Sequence, residues 1–232
     1  LPARGALPAL VRHDLKLFAR DWTVLGDIVT AAALWTLLPL VGAPLHPMPA
    51  AQLARVMLLA LTVGLGYEVA ARAIPFERRA LVWSRLAPQG AGRWLAGKLL
   101  STGAISLPIV ALAAAAMALA IPLPAREWLA AAALVVPALG FSLALGVWTG
   151  AAFGDPQWTN PRAMLTLGGR LVASLVLLAQ AGGWLAVSAA IRAGTLQLPY
   201  AQWWAPAVLA LVLSMVPIRA TAARLAGREW SY

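Results

Sequence analysis

The stretch WLAAAALVVPALGFSLALGVWTGA, residues Trp128–Ala151, decides the fold because it runs for 24 residues without a charged side chain. About 20 consecutive apolar residues are enough for a helix to cross the hydrocarbon core of a bilayer. A helix also satisfies its backbone hydrogen bonds within itself, which the water-free interior of lipid requires. The stretch therefore predicts a transmembrane helix.

Five further windows meet the same criterion, so the sequence predicts six spans. The other five are Val24–Val41, Gln52–Ala71, Leu95–Ile121, Leu171–Ile191 and Trp203–Ile218. The composition agrees, because 62% of the residues are hydrophobic and only 11% are charged, whereas a soluble domain carries about 25% charged residues. We predict an all-α integral membrane protein with six transmembrane helices, and exclude a soluble globular domain.

The Lys and Arg residues predict the orientation of the spans, since they accumulate in cytoplasmic loops. Fifteen of the 18 fall in segments that six spans place on one side, and three fall on the other. The fifteen are Arg4, Arg12, Lys16, Arg20, Arg72, Arg78, Arg79, Arg85, Arg93, Lys98, Arg162, Arg170, Arg219, Arg224 and Arg228. We expect a multi-pass protein of the inner (plasma) membrane with both termini in the cytoplasm. The formal charge of +10 then indicates contact with anionic lipid of the bilayer and not with nucleic acid.

The sequence divides into three parts: residues 1–23, a six-helix transmembrane domain at 24–218 with a cytosolic coupling loop at 72–98, and a basic cytosolic tail at 219–232. At helical period the apolar side chains of the first part, including Phe18 and Trp22, share one arc, and Arg12, Lys16 and Arg20 lie opposite. Such a helix lies in the membrane interface with its cations toward the phosphates. We interpret it as an amphipathic elbow helix that transmits motion into the first span; the alternative is a passive anchor.

The loop at 72–98 predicts a second short helix, because Pro75 suits its first turn and Pro88 its end. An amphipathic cytosolic helix between two spans suits docking into a groove of a soluble partner. The candidate docking residues are Phe76, Glu77, Arg78, Arg79, Trp83, Arg85 and Leu86. The alternative is a solvated loop whose arginines serve only to fix the topology.

Ionisable residues inside spans are functional candidates by default. Asp27, Glu68 and Arg72 are the candidates here. The i, i+4 spacing of Glu68 and Arg72 predicts an ion pair at the cytosolic end of the second span, and Asp27 is placed to pair with Arg20 or Arg72. Arg55 is expected to reach outward to the interface.

Motifs for enzymatic chemistry do not occur in this chain. There is no G-x-x-x-x-G-K-[ST] phosphate loop, no H-E-x-x-H zinc pair, no G-x-S-x-G nucleophile motif and no cysteine. We therefore expect a non-enzymatic chain without cofactors of its own, whose ATP and Mg²⁺, if used, bind a partner.

Three segments resemble motifs of one family. Residues 76–99 read FERRALVWSRLAPQGAGRWLAGKL and resemble the stretch E-G-R-x-x-W-x-x-R-x-x-P-x-x-x-R-x-x-x-x-K of ABC exporter membrane subunits in the ABC-2 permease group. Residues 153–162, FGDPQWTNPR, are similar to that group's F-P-x-x-x-W-x-N-P turn, and residues 13–21, HDLKLFARD, to its K-D-L-x-x-x-x-R-D helix. Asn160 and Pro161 in the turn also have the pattern of a helix start.

The resemblance implies a permease subunit with six spans, paired with a second copy or a related half. It also implies a separate P-loop ATPase that docks on the loop at 72–98. Arg78 departs from the pattern, which has Gly there, and such subunits are often longer, so the chain is expected to match their C-terminal portion. Alternatives are a haem-exporter-type permease and a non-transport membrane scaffold or assembly factor.

Overall fold

The computed structural model describes residues 6–42, 50–80, 90–121, 123–155, 157–160, 164–194 and 205–227. Its helices are α1 (Ala6–Arg20), α2 (Trp22–Gly42), α3 (Ala50–Ala73), a 3-10 helix η1 (Pro75–Ala80), α4 (Gly90–Ala120), α5 (Ala125–Phe153), α6 (Leu167–Arg192) and α7 (Ala205–Gly227). Within these ranges there is no β-strand, only an isolated bridge between Gly154 and Leu165. The all-helical prediction is confirmed.

Five helices, α3 to α7, are long and apolar enough to cross a membrane, and α1 and α2 meet the criterion as a bent pair. The structure therefore has five such helices, or six if the bent pair is counted. The two helices of the pair meet at 83°. The break falls at Asp21, whose backbone carbonyl accepts a hydrogen bond from Leu25 N at 3.0 Å, as an N-cap residue does.

Helices α3 and α5 form the centre of the bundle, and glycines bring their backbones into contact. A Cβ atom on Gly146 would lie 2.5 Å from the carbonyl oxygen of Tyr67 and 2.7 Å from Ala70 Cβ, and one on Gly150 would overlap the carbonyl oxygen of Ala71. The spacing of Gly146 and Gly150 is the G-x-x-x-G pattern of close membrane helix pairs. The hydroxyl of Tyr67 also donates to Thr149 Oγ1 at 2.8 Å.

The outer helices present apolar surface. Only 17% of the apolar window of α6 is buried, against 67% of that of α3. Leu171, Leu175 and Leu178 follow one face of α6, and each is more than 60% exposed. An exposed apolar face along a helix is unfavourable in water and suits contact with lipid. The fold is that of a multi-pass membrane protein.

The start of α6 differs from the prediction. Helix α6 begins at Leu167, where Thr166 Oγ1 accepts from Gly169 N at 3.2 Å. Asn160, the predicted start, is not helical, and Pro161 lies outside the described residues. Upstream, the chain folds back on itself, with Asp155 N donating to Met164 O at 2.8 Å and Thr166 N to Phe153 O at 3.0 Å. These pairings hold the segment after α5 out of helical geometry.

Parts of the predicted tail and coupling loop are helical. Helix α7 continues to Gly227, so residues 219–227 of the predicted tail are continuous with the last helix. Within the predicted loop at 72–98, α3 reaches Ala73, η1 covers Pro75–Ala80 and α4 begins at Gly90. Only residues 81–89 of that loop lie outside the described residues.

Candidate functional site

Helix α1 turns one face toward the bundle. Asp14 and Phe18, one turn apart, are 3% and 5% exposed, whereas Arg12, Lys16 and Arg20 on the other face are exposed. The three cations therefore lie on an exposed face, as the amphipathic pattern predicts. The opposite face, which carries Phe18, packs against other helices and also carries the carboxylate of Asp14. The side chain of Trp22 lies outside the described residues.

Asp14 belongs to a group that we call the buried charge cluster, formed by Asp14, Glu77, Lys98 and Ser101. The ammonium nitrogen of Lys98 donates to Asp14 Oδ1 at 2.7 Å and to Glu77 Oε1 at 2.5 Å. Ser101 Oγ donates to Asp14 Oδ2 at 2.8 Å. All four residues are less than 9% exposed. The lysine of α4 therefore bonds to one carboxylate from α1 and to one from η1.

Burial makes this arrangement energetically demanding. Transferring a charge out of water costs several kcal/mol unless it is paired and hydrogen-bonded. Lys98 fulfils this condition through its two carboxylates, and its Nζ also lies 5.3 Å from the centre of the Trp94 ring, where a cation is favoured. Loss of Lys98 leaves both carboxylates without their cation, so this one side chain holds α1, η1 and α4 together.

Three aromatic residues extend the contact from α1 to the turn after α5. The Phe18 and Phe76 rings lie 4.8 Å apart, and those of Phe76 and Trp158 lie 6.0 Å apart, both edge to face. The indole nitrogen of Trp158 donates to the carbonyl oxygen of Pro75 at 2.9 Å. The turn is thereby fastened to η1, and the buried charge cluster and the aromatic contacts form one unit at one end of the bundle.

Two of the predicted docking residues contact other parts of the bundle. Glu77 is 7% exposed and bonded to Lys98, and Phe76 packs between Phe18 and Trp158. A buried Glu77 does not fit a docking surface, whereas Phe76 stays partly exposed. Arg78 and Arg79 lie in η1, with side chains outside the described part of the chain, and Trp83, Arg85 and Leu86 fall wholly outside it.

Asp27, Glu68 and Arg72, the predicted intramembrane charges, line one groove that is separate from the buried charge cluster. Glu68 and Arg72 form the expected i, i+4 ion pair, and both line a groove of 480 Å³ that Asp27 also lines. A neighbouring pocket of 230 Å³ shares Glu68 and Arg72 and adds Arg170. Arg170 stands at the start of α6, at the same end of the bundle as the end of α3.

Arg55 does not simply reach outward as predicted. It forms an ion pair with Glu127, at the start of α5. Since α3 and α5 begin at the opposite end from the buried charge cluster, this pair joins them at the far end of the bundle. Glu127 was not among the predicted partners of Arg55.

His13, Asp14 and Glu77 form a group that could hold a metal ion, with ligand atoms within 4.8 Å of one another. The ammonium of Lys98 already bonds to both carboxylates, so a metal would have to displace it. His13 is also largely exposed, with its Nδ1 3.5 Å from Asp14. We therefore interpret the cluster as an ion-pair network.

No protein-family model, curated protein or solved structure matches this chain. The class of the protein thus rests on its own fold and site: a helical multi-pass membrane protein with a buried charge cluster at one end.

Proposed function

We propose that this chain is the membrane-spanning permease subunit of an ATP-binding-cassette exporter, driven by a separate P-loop ATPase. One observation carries the proposal. The three segments that resemble the ABC-2 permease group supply Asp14, Glu77 with Lys98, and Trp158, and these residues converge at one end of the bundle. A six-span topology already brings the three segments to one end of the bundle, so the support lies in the direct bonds that Lys98 makes to Asp14 and Glu77.

The cluster suggests how the ATPase could act on the spans. Residues 81–89, which include Trp83 and Arg85, connect η1 to α4, and the direct bond between Glu77 and Lys98 ties the two ends of this connection together. A partner bound to residues 81–89 would therefore move η1, α4 and α1 as a unit. The ATP and Mg²⁺ would be bound by the partner, and the pathway would lie between two permease units.

The same proposal includes the topology, with both termini and residues 72–98 in the cytoplasm. Because the chain has no cysteine, Gln157→Cys and Ala125→Cys each introduce a single thiol at an exposed position, one at each end of α5. We expect an impermeant maleimide added to whole cells to label Ala125→Cys only. Labelling of Gln157→Cys from outside would refute the orientation.

Trp83 is the residue to test for docking, since it is the largest side chain of residues 81–89. Truncating an aromatic hot spot costs about 2 kcal/mol or more, which is roughly a thirtyfold loss of affinity. We expect Trp83→Ala to reduce co-purification of the P-loop ATPase and substrate-stimulated ATP hydrolysis by about that factor. The protein should keep its wild-type thermal unfolding midpoint.

The control is Trp128→Ala, at the end of the bundle away from the buried charge cluster. It should leave ATPase association unchanged. If Trp83→Ala retains full association, the loop serves only the topology. If the wild-type chain brings down no P-loop ATPase, the scaffold alternative is favoured; a haem-exporter-type permease differs only in its cargo and would be recognised by haem-stimulated hydrolysis.

A further inference from the structure

The groove between α2, α3 and α6 has two chemically different parts. Its body is apolar and is lined by Ile28, Trp35, Leu65 and Leu178 among others. Its end carries Asp27, Glu68 and Arg72. The adjoining pocket continues this polar end with Tyr67, Ser174 and Arg170. The whole therefore has the shape and polarity of a site for an amphiphile.

The dimensions agree with the depth of one leaflet. On α3 the lining runs from Ala60 to Arg72, which at 1.5 Å per residue is about 18 Å. Half of the bilayer's hydrocarbon core is about 15 Å thick. Arg72 and Arg170 lie at the end of their helices, where headgroups are expected, so an acyl chain along the groove would bring its headgroup to them.

Arg72 also has an unused donor. Its guanidinium is bonded to Glu68 through Nη2, but Nη1 is buried and finds no hydrogen-bond partner among the described residues. A buried donor without a partner is unfavourable by about 1–3 kcal/mol. Guanidinium groups bind phosphate oxygens in a planar, two-point geometry, so a phosphate in the 230 Å³ pocket would satisfy this donor.

We propose that the groove binds one phospholipid molecule, with its phosphate on Arg72 and Arg170 and an acyl chain along α2, α3 and α6. We commit to a lipid as the occupant because a phosphate can accept from Arg72 Nη1 while an acyl chain fills the apolar body of the groove. The inference stands independently of the transport function proposed above.

Gly64 provides a test that leaves the charges untouched. It lines the groove, and a Cβ atom built on it would meet nothing within 4 Å, so Gly64→Leu should fill the groove without disturbing the packing. Gly140 on α5 has the same open surroundings but does not line the groove, which makes Gly140→Leu the matched control. Arg72→Gln tests the headgroup, with Arg219→Gln, an exposed arginine of α7, as its control.

The measurement is native mass spectrometry of the full chain in detergent, titrated with dioleoylphosphatidylglycerol. We expect one tightly bound lipid per chain, and about tenfold weaker binding for Gly64→Leu and for Arg72→Gln, with both controls like the wild type. Dioleoylglycerol, which lacks the phosphate, and glycerophosphoglycerol or inorganic phosphate, which lack acyl chains, should each bind at least tenfold more weakly than the lipid.

Each of the other results would overturn the proposal. Unchanged binding to Gly64→Leu would place the lipid elsewhere, and equal binding of dioleoylglycerol would mean that the phosphate is not recognised. Equal binding of inorganic phosphate would reduce the site to an anion pocket. A dimer mass in the wild type that Gly64→Leu converts to monomer, without loss of lipid binding, would assign the groove to a second copy of the chain.

Discussion

Replacing Lys98 by methionine is expected to lower the free energy of unfolding by about 3–5 kcal/mol, because it leaves two buried carboxylates without their cation. Asp14 and Glu77 are 3% and 7% exposed, so water does not readily replace the lost ammonium. Methionine keeps the length of the lysine stem, so the loss reflects charge more than volume. The measurement is the unfolding of the purified protein in mixed micelles, titrated with dodecyl sulfate.

The chain contains a matched control, since its second lysine, Lys16, is exposed on α1. Lys16→Met should change the unfolding free energy by less than about 0.5 kcal/mol. Adding Asp14→Asn and Glu77→Gln to Lys98→Met should recover part of the loss, because no bare carboxylate then remains buried. If Lys98→Met and Lys16→Met behave alike, the buried charge cluster does not hold α1, η1 and α4 together.

Replacing Gly150 by leucine is expected to prevent α3 and α5 from packing, at a cost of about 3 kcal/mol or more. Overpacking a core typically costs 1–3 kcal/mol, and here the first added carbon would already overlap the carbonyl oxygen of Ala71. A backbone cannot move aside as a flexible side chain does. The expected result is loss of the monodisperse peak in size-exclusion chromatography, or a large fall in the thermal unfolding midpoint.

Gly140→Leu, the same change on the same helix, should be tolerated because that position meets nothing within 4 Å. Gly146→Leu should behave like Gly150→Leu, since its Cβ would lie 2.5 Å from the carbonyl oxygen of Tyr67. A stable Gly150→Leu variant with an unchanged midpoint would show that the two helices do not approach as closely as described.

The spans could be predicted from the sequence because lipid imposes a simple rule on length and polarity. The close pairing of α3 and α5 has a signal in the sequence, namely glycines at positions 146, 150 and 154, spaced by four. The glycine spacing does not predict which helix packs against α5. The partner is α3 because Ala70 and Ala71 are small enough for close approach, and such residues are not distinctive in a chain this rich in alanine.

The buried charge cluster was predictable only in part. At 100° per residue Asp14 falls at the edge of the apolar arc of α1, beside Leu7, and a carboxylate next to a buried face requires a partner. The sequence does not say which of the nearby cations that is. The partner is Lys98, which lies 84 residues further along the chain. Helical periodicity describes neighbours on one helix and does not predict a contact at that distance in sequence. Glu77 was misassigned because charge in a loop was equated with exposure.

Asp14, Glu77 and Lys98 are far apart along the chain, so the ribosome synthesises the two carboxylates well before the lysine. Lys98 is synthesised after α1 to α3, so neither Asp14 nor Glu77 can bond to it until α4 emerges. In the orientation proposed above, Lys98 is one of the cations that would hold the start of α4 on the cytoplasmic side. The same lysine would then act first in insertion and afterwards in joining α1, η1 and α4.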